Sequence, residues 1–114
     1  MYIIIVDIIN NGIVIDKNIL TRCDESLKGK FVIDDSITSV GKGAFYNCTS
    51  LMNIDIPKNV KSIGNYAFSK CTTLSSVVIP NNVKQIGENC FSECLSLEKV
   101  TIGESVKNIG DYAF

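Results

Sequence analysis

Four glycines, Gly41, Gly64, Gly87 and Gly110, stand 23 residues apart, and Phe45, Phe68, Phe91 and Phe114 keep the same interval. A fixed period of roughly 20–50 residues marks a stacked-repeat architecture, in which neighbouring units bury each other's apolar faces. The unit LMNIDIPKNVKSIGNYAFSKCTT (51–73) is followed by LSSVVIPNNVKQIGENCFSECLS (74–96) and LEKVTIGESVKNIGDYAF (97–114). Upstream, FVIDDSITSVGKGAFYNCTS (31–50) supplies most of an earlier copy.

Within a unit, Leu51, Ile54 and Ile56 fit the L-x-x-L-x-L strand of a leucine-rich repeat, with Leu74, Val77, Ile79 and Leu97, Val100, Ile102 as equivalents. The first copy keeps Phe31 and Ile33 but has Lys28 where the leading leucine belongs. Inward Ile54 and Ile56 alternate with outward Asn53 and Asp55, as a period of two demands. A second apolar pair (Val60 and Ile63, Val83 and Ile86, Val106 and Ile109) reads as a brief extended segment entering a bend. The glycine that follows implies either positive φ or a close backbone approach. Ala67, Phe68 and Cys71 then have the spacing of one helical or 3-10 turn with its apolar side inward. Stacking turns these positions into ladders: aliphatic, Phe on Phe, Cys on Cys. Cys48, Cys71 and Cys94 share one repeat position, so they read as small buried hydrophobes and free thiols rather than as bridges.

Residues 1–30 do not fit the period and read as an N-terminal β cap, leaving 31–114 as an array of about four coils, the last incomplete. A terminal coil would otherwise expose its apolar end, and capping segments answer that need. In the cap, Tyr2–Ile9 reads as a buried strand, and the two runs flanking Asp16-Lys17-Asn18 read as a hairpin. Cys23 is hard to place there and is expected to be the more reactive thiol. The opening MYIIIVDII lacks a basic flank and a cleavage site, so it is not a signal peptide, and it is too short to span a bilayer.

The pattern LxxIxIPxxVxxIGxxAFxxCxx resembles the BspA-like, or Treponema pallidum-type, leucine-rich repeat family over residues 31–114. LTRCDESLKGKFVID is similar to that family's lead-in hairpin. The resemblance implies a right-handed solenoid with a parallel β-sheet on its concave face. It also implies non-catalytic, cell-surface or secreted proteins that bind host or matrix proteins. Asp34 and Gly103 stand in place of the proline, so the turns after those strands are expected to differ, and Cys90 replaces the alanine.

Chemistry is scarce. The chain has no histidine, which removes the commonest general base and metal ligand and excludes Ser-His and Cys-His nucleophile pairs. Cys90 and Cys94 lack a second pair with zinc-site spacing, so no cofactor or metal is expected. Asp24-Glu25 and Asp34-Asp35 read as solvated turn residues. The Asn47-Cys48-Thr49 sequon contains an inward cysteine and reads as a chance match. A net charge of −1 gives no general attraction to nucleic acid or anionic membrane.

Two surfaces remain as candidates for binding. One is the outward side of the strands, Val32, Asn53, Asp55, Ser76, Val78, Lys99 and Thr101, on the face that solenoids use for recognition. The other is a basic column, Lys61, Lys84 and Lys107, on successive coils. A solvated face explains that column, and an acidic partner would use it. The expected function is a non-catalytic protein-binding module, and the alternative is a structural spacer cut from a longer repeat stalk. The third copy stops in mid-repeat. The chain is therefore expected either to be a fragment of a longer array or to bury its last coil in an end-to-end homodimer.

Overall fold

The computed structural model describes residues 13–114. Ten strands form two parallel stacks. The four-stranded sheet is β3 (Gly29–Val32), β5 (Leu51–Asp55), β7 (Ser76–Ile79) and β9 (Lys99–Ile102), in that order. Asn53 pairs with Ser76 and Ser76 with Lys99, so the register advances by the sequence period. The other sheet is β1 (Val14–Asp16), β2 (Ile19–Arg22), β4 (Ser39–Val40), β6 (Ser62–Ile63), β8 (Gln85–Ile86) and β10 (Asn108–Ile109). All its pairings are parallel except the β1–β2 hairpin, whose Lys17-Asn18 turn sits in the left-handed region at φ 50° and 67°. Left-handed backbone at both turn residues is what a two-residue hairpin needs to match strand twist. The Tyr2–Ile9 strand and the turn at 10–12 lie outside the described residues.

The core lies between the sheets. Phe45, Phe68, Phe91 and Phe114 form a continuous stack with centroids 4.9, 5.2 and 5.2 Å apart and planes within 6° of parallel. Nearly parallel rings at that separation are offset, the arrangement the aromatic quadrupole favours. Phe31 closes the ladder at one end, tilted at 56° and 6.0 Å from Phe45. Cys48 and Cys71 are fully buried, and Cys94 is half-buried. The Cys71 thiol donates to the Phe45 carbonyl at 3.1 Å and Cys94 to that of Phe68 at 3.0 Å, so each thiol ties its rung to a carbonyl of the coil before. All five cysteines are free.

The expected helical or 3-10 turn is absent: no helix occurs among the described residues. The Ala67, Ser69 and Cys71 N–H groups bond within the coil to Gly64, Tyr66 and Phe68. The interleaved N–H groups of Tyr66, Phe68 and Lys70 instead reach the Glu88, Cys90 and Ser92 carbonyls of the next coil. A helix would keep every donor inside the coil. Here alternate donors bridge coils, and Tyr66 and Lys70 take φ of 60° and 63° to turn the peptide outward. The same spacing of apolar residues therefore makes a run of β-turns.

The glycine column resolves to close approach. A Cβ on Gly64 would lie 2.7 Å from the Lys42 nitrogen, and one on Gly87 2.4 Å from the Asn65 nitrogen. None of the four column glycines has positive φ.

Three lead-in expectations need correction. The leading apolar residue of the first coil is Leu27, not the position of Lys28. Its N–H bonds to the Asp24 carbonyl as Leu51 bonds to Cys48 and Leu74 to Cys71. The register shifts again between Gly29 and Lys30, which pair with Leu51 and Asn53 and leave Met52 of β5 as the bulged residue. Cys23 is buried, and its N–H bonds to Ala44 as that of Phe45 bonds to Ala67, so it fills a phenylalanine position in a shortened turn. Finally, Asp34 preserves the turn that Pro57 makes. The Ile37 N–H bonds to the Asp34 carbonyl at 3.1 Å, as Val60 bonds to Pro57 at 3.2 Å.

Candidate functional site

The outward face of the four-stranded sheet gathers all seven predicted strand residues. Register places Lys30, Asn53, Ser76 and Lys99 in one column and Val32, Asp55, Val78 and Thr101 in the next. Inward Ile54, Val77 and Ile79 are buried, which fixes their neighbours outward. Val32 and Val78 are 60% and 62% exposed. A shallow depression of about 510 Å³ runs between Lys30, Asn53, Asp55, Lys58, Ser76 and Val78.

Two residues of this face were not anticipated. Lys30 stands 23 residues before Asn53, so the period itself contained it. Its ammonium lies 3.5 Å from the Asp55 carboxylate, with both side chains about 60% exposed. Such a pair contributes at most about 1 kcal/mol, and its use is to fix charge in place. Met52 is 53% exposed beside the equally outward Asn53, because β5 departs from strict alternation after Leu51. A period-two reading hides such a residue.

The second candidate lies immediately before β6, β8 and β10 of the other sheet. Lys61, Lys84 and Lys107 are exposed on successive coils, held in line by N–H bonds from Lys61 to Thr38, Lys84 to Lys61 and Lys107 to Lys84. The structure thus keeps the two predicted sets apart, one on the four-stranded sheet and one at the entry to the strands of the other.

The remaining polar groups are explained by local structure. The Asp24 carboxylate accepts the Ser26 N–H at 2.8 Å, and that backbone bond chiefly holds its pKa below the usual range. Asp34 accepts the Ser36 hydroxyl and, at 3.0 Å, its N–H, with the hydroxyl the larger cause of its lowered pKa. Burial pushes the Cys23 and Cys90 thiols up to about 12 and Cys48 and Cys94 up to about 11. Protonated thiols are poor nucleophiles and poor metal ligands. No cluster of three or more potential metal-ligating side chains forms among the described residues. Asn47 of the sequon is half-buried with φ 62° and donates to Glu25 at 3.1 Å. No described helix is long and apolar enough to cross a membrane.

The family model for the BspA type leucine rich repeat region matches residues 3–114 in six copies. The chain belongs to that family. The match reaches upstream of the strict period, in keeping with β2 pairing in parallel with β4 as later coils pair. Among solved structures, a leucine-rich repeat protein from Eubacterium ventriosum is similar at 27% identity and TM-score 0.83, over 90% of this chain and 28% of its own. One from Bacteroides ovatus is 30% identical with TM-score 0.70, over 82% of this chain and 28% of its own. The T. pallidum leucine-rich repeat protein is 29% identical with TM-score 0.68, over 84% of this chain and 57% of its own. The chain therefore spans about a quarter to just over half the length of these BspA-type relatives. No curated protein matches it. Leucine-rich repeats are generally protein-interaction modules and are typically non-enzymatic.

Proposed function

We propose that this BspA-type array is a non-catalytic protein-binding module that recognises a protein partner through the outward face of its four-stranded sheet. One observation carries the reading: Val32 and Val78, both more than half exposed, stand beside the Lys30–Asp55 pair on an in-register surface. Aliphatic groups ringed by charge supply an anchor and an orienting rim, the two parts of a protein interface. The partner is a host or matrix protein at the cell surface or outside the cell, as the family resemblance implies. Binding requires no cofactor, nucleic acid or membrane insertion.

The test is capture from extracellular-matrix proteins and host-cell lysate with the native protein and with Val32→Glu/Val78→Glu. A specific band lost in the double variant supports the assignment. A band retained at equal strength refutes it.

A second reading, a structural spacer within a longer repeat stalk, is favoured by the 28% share of two relatives that this chain covers. It expects no captured partner. The proposal also includes an N-terminal cap at 1–30 and an end-to-end contact between copies. Ile102, Ile109 and Phe114, which are 44%, 50% and 55% exposed, would be buried in that contact. Sedimentation at micromolar concentration tests it, and a clean monomer rules it out.

A further inference from the structure

The basic column sets three like charges on successive rungs. Among the described residues, two pairs of opposite charges meet across coils, Lys30–Asp55 and Lys70–Glu93 at 3.5 and 3.9 Å. Lys61, Lys84 and Lys107 occupy equivalent rungs with no acidic partner among the described residues. Like charges directly opposite in a sheet are destabilising. The fold carries that cost over three rungs here, and over two at Glu88 and Asp111.

One residue along the chain lies the floor of an open groove of about 420 Å³ that spans four coils. Its floor is the polar column Ser39, Ser62, Gln85 and Asn108, with the glycine column beside it. The Ser39 and Ser62 hydroxyls are hydrogen-bonded at 2.9 Å. Side chains on the glycines are sterically barred by the preceding coil, which keeps the groove open. The surface is therefore a linear trough floored by hydroxyl and amide groups. The lysine column stands one residue before the floor on one side, and Lys42, Asn65 and Glu88 line the trough past the glycines on the other.

We propose that this trough is a second recognition face, separate from the four-stranded sheet, for an extended acidic peptide segment. Carboxylates would project to the lysine side, away from Glu88 on the other, while the floor's hydroxyls and amides bond the peptide backbone. From Lys61 to Lys107 is two rungs, roughly 10 Å at about 4.8 Å per strand, which an extended chain crosses in about three to four residues. The trough's lining contains no aromatic side chain, so the stacking platform that holds single-stranded nucleic acid is missing.

The experiment measures binding of a labelled peptide containing six consecutive glutamates, against the same peptide with glutamines, at low and high salt. The glutamate peptide should bind and weaken as salt rises, because exposed charges are screened. Lys61→Gln/Lys84→Gln/Lys107→Gln should weaken it by about tenfold or more. Lys17→Gln/Lys28→Gln/Lys70→Gln, with the same change in net charge, should leave it within about twofold. A melting temperature for the column variant no lower than native, as relief of repulsion implies, excludes misfolding as the cause. Equal losses in the two triple variants would show a net-charge effect and overturn the proposal. So would no binding, or tighter binding of a sulfated glycan or single-stranded DNA than of the peptide.

Discussion

The central coils, 51–96, and the lead-in coil before them reach the same backbone by different sequences. In the central coils each rung repeats its residue: Phe68 over Phe91, Gly64 over Gly87, Pro57 over Pro80. The lead-in replaces nearly all of these. Cys23 takes the phenylalanine position, Thr21 follows the paired Leu20 where glycine follows Val40, Asp34 takes the proline position, and Leu27 leads 24 residues before Leu51. What the two regions share is the bonding of rung to rung. Gly41 bonds to Leu20 at 2.7 Å as Gly64 bonds to Val40 at 2.8 Å. The stack therefore demands a register of donors and acceptors and a filled interior. Repeated identity is one way to meet that demand.

If so, the largest effect should come from emptying a central rung. Phe68 is fully buried between two stacked rings, and Phe68→Ala should cost about 3–5 kcal/mol, since neighbours on both sides lose contact. Cys23→Ala removes one sulfur at the equivalent lead-in position and should cost only about 1 kcal/mol. Phe114→Ala, at a ring 55% exposed, should also be mild. Urea midpoints decide the matter, and equal shifts for Phe68→Ala and Phe114→Ala would contradict the nearest-neighbour stack.

The glycine column gives the next effect. A Cβ at position 87 would meet backbone at 2.4 and 2.5 Å, whereas at Gly41 it meets the Leu20 oxygen at 3.0 Å. Gly87→Ala must push two coils apart and should cost about 1–3 kcal/mol, as overpacking does. Gly41→Ala should cost clearly less, because the lead-in coil leaves more room. Matching losses would mean that the glycines are kept for some reason other than coil separation.

Thiol labelling sharpens the comparison without touching stability. Cys94 is half-buried while Cys23, Cys48, Cys71 and Cys90 are buried, so Cys94 should be modified first in the native protein. Burial of Cys23 reverses the expectation drawn from its irregular neighbourhood. If Cys23 reacts as fast as Cys94, the lead-in coil opens far more readily than the central ones.

Much of this was legible because the period is a long-range signal that local ambiguity cannot erase. It fixed the strand register, the Phe and Cys ladders and all seven outward strand residues. The second sheet was not legible as a sheet, because strands of two residues such as Ser62–Ile63 are too short to show alternation. The β-turn run was misread because Ala67, Phe68 and Cys71 have a spacing that a helical turn shares. The evidence against a helix lies in the φ of Tyr66 and Lys70, residue types that rarely take positive values. The lead-in coil was obscured because its offsets change from one position to the next. Only hydrogen bonds revealed Leu27 and Cys23 as members of the series. At the binding face, the period reached Lys30 but said nothing of its pairing with Asp55.

The smallest expected effect separates the two regions by pH. The turns after β5 and β7 begin with Pro57 and Pro80, whose ring fixes φ and whose contribution does not titrate. The lead-in turns begin with Asp24 and Asp34, whose carboxylates accept hydrogen bonds from Ser26 and Ser36. Both carboxyls have lowered pKa in the folded chain. A depressed folded pKa means stabilisation that is complete above the unfolded value, about 3.9 for aspartate. It is lost as pH falls through the lower folded value, where the protonated group no longer accepts strongly. The Leu27 and Ile37 amides, which close these turns onto the Asp24 and Asp34 carbonyls, should then lose hydrogen-exchange protection on acidification from pH 5. The Val60 and Val83 amides, closing onto Pro57 and Pro80, should keep theirs over the same range. Asp34→Pro should remove the pH dependence at Ile37 and leave that at Leu27, where Asp24 is untouched. If all four amides lost protection together, the lead-in would not be a separately titrating turn, and acid would be acting on the whole stack.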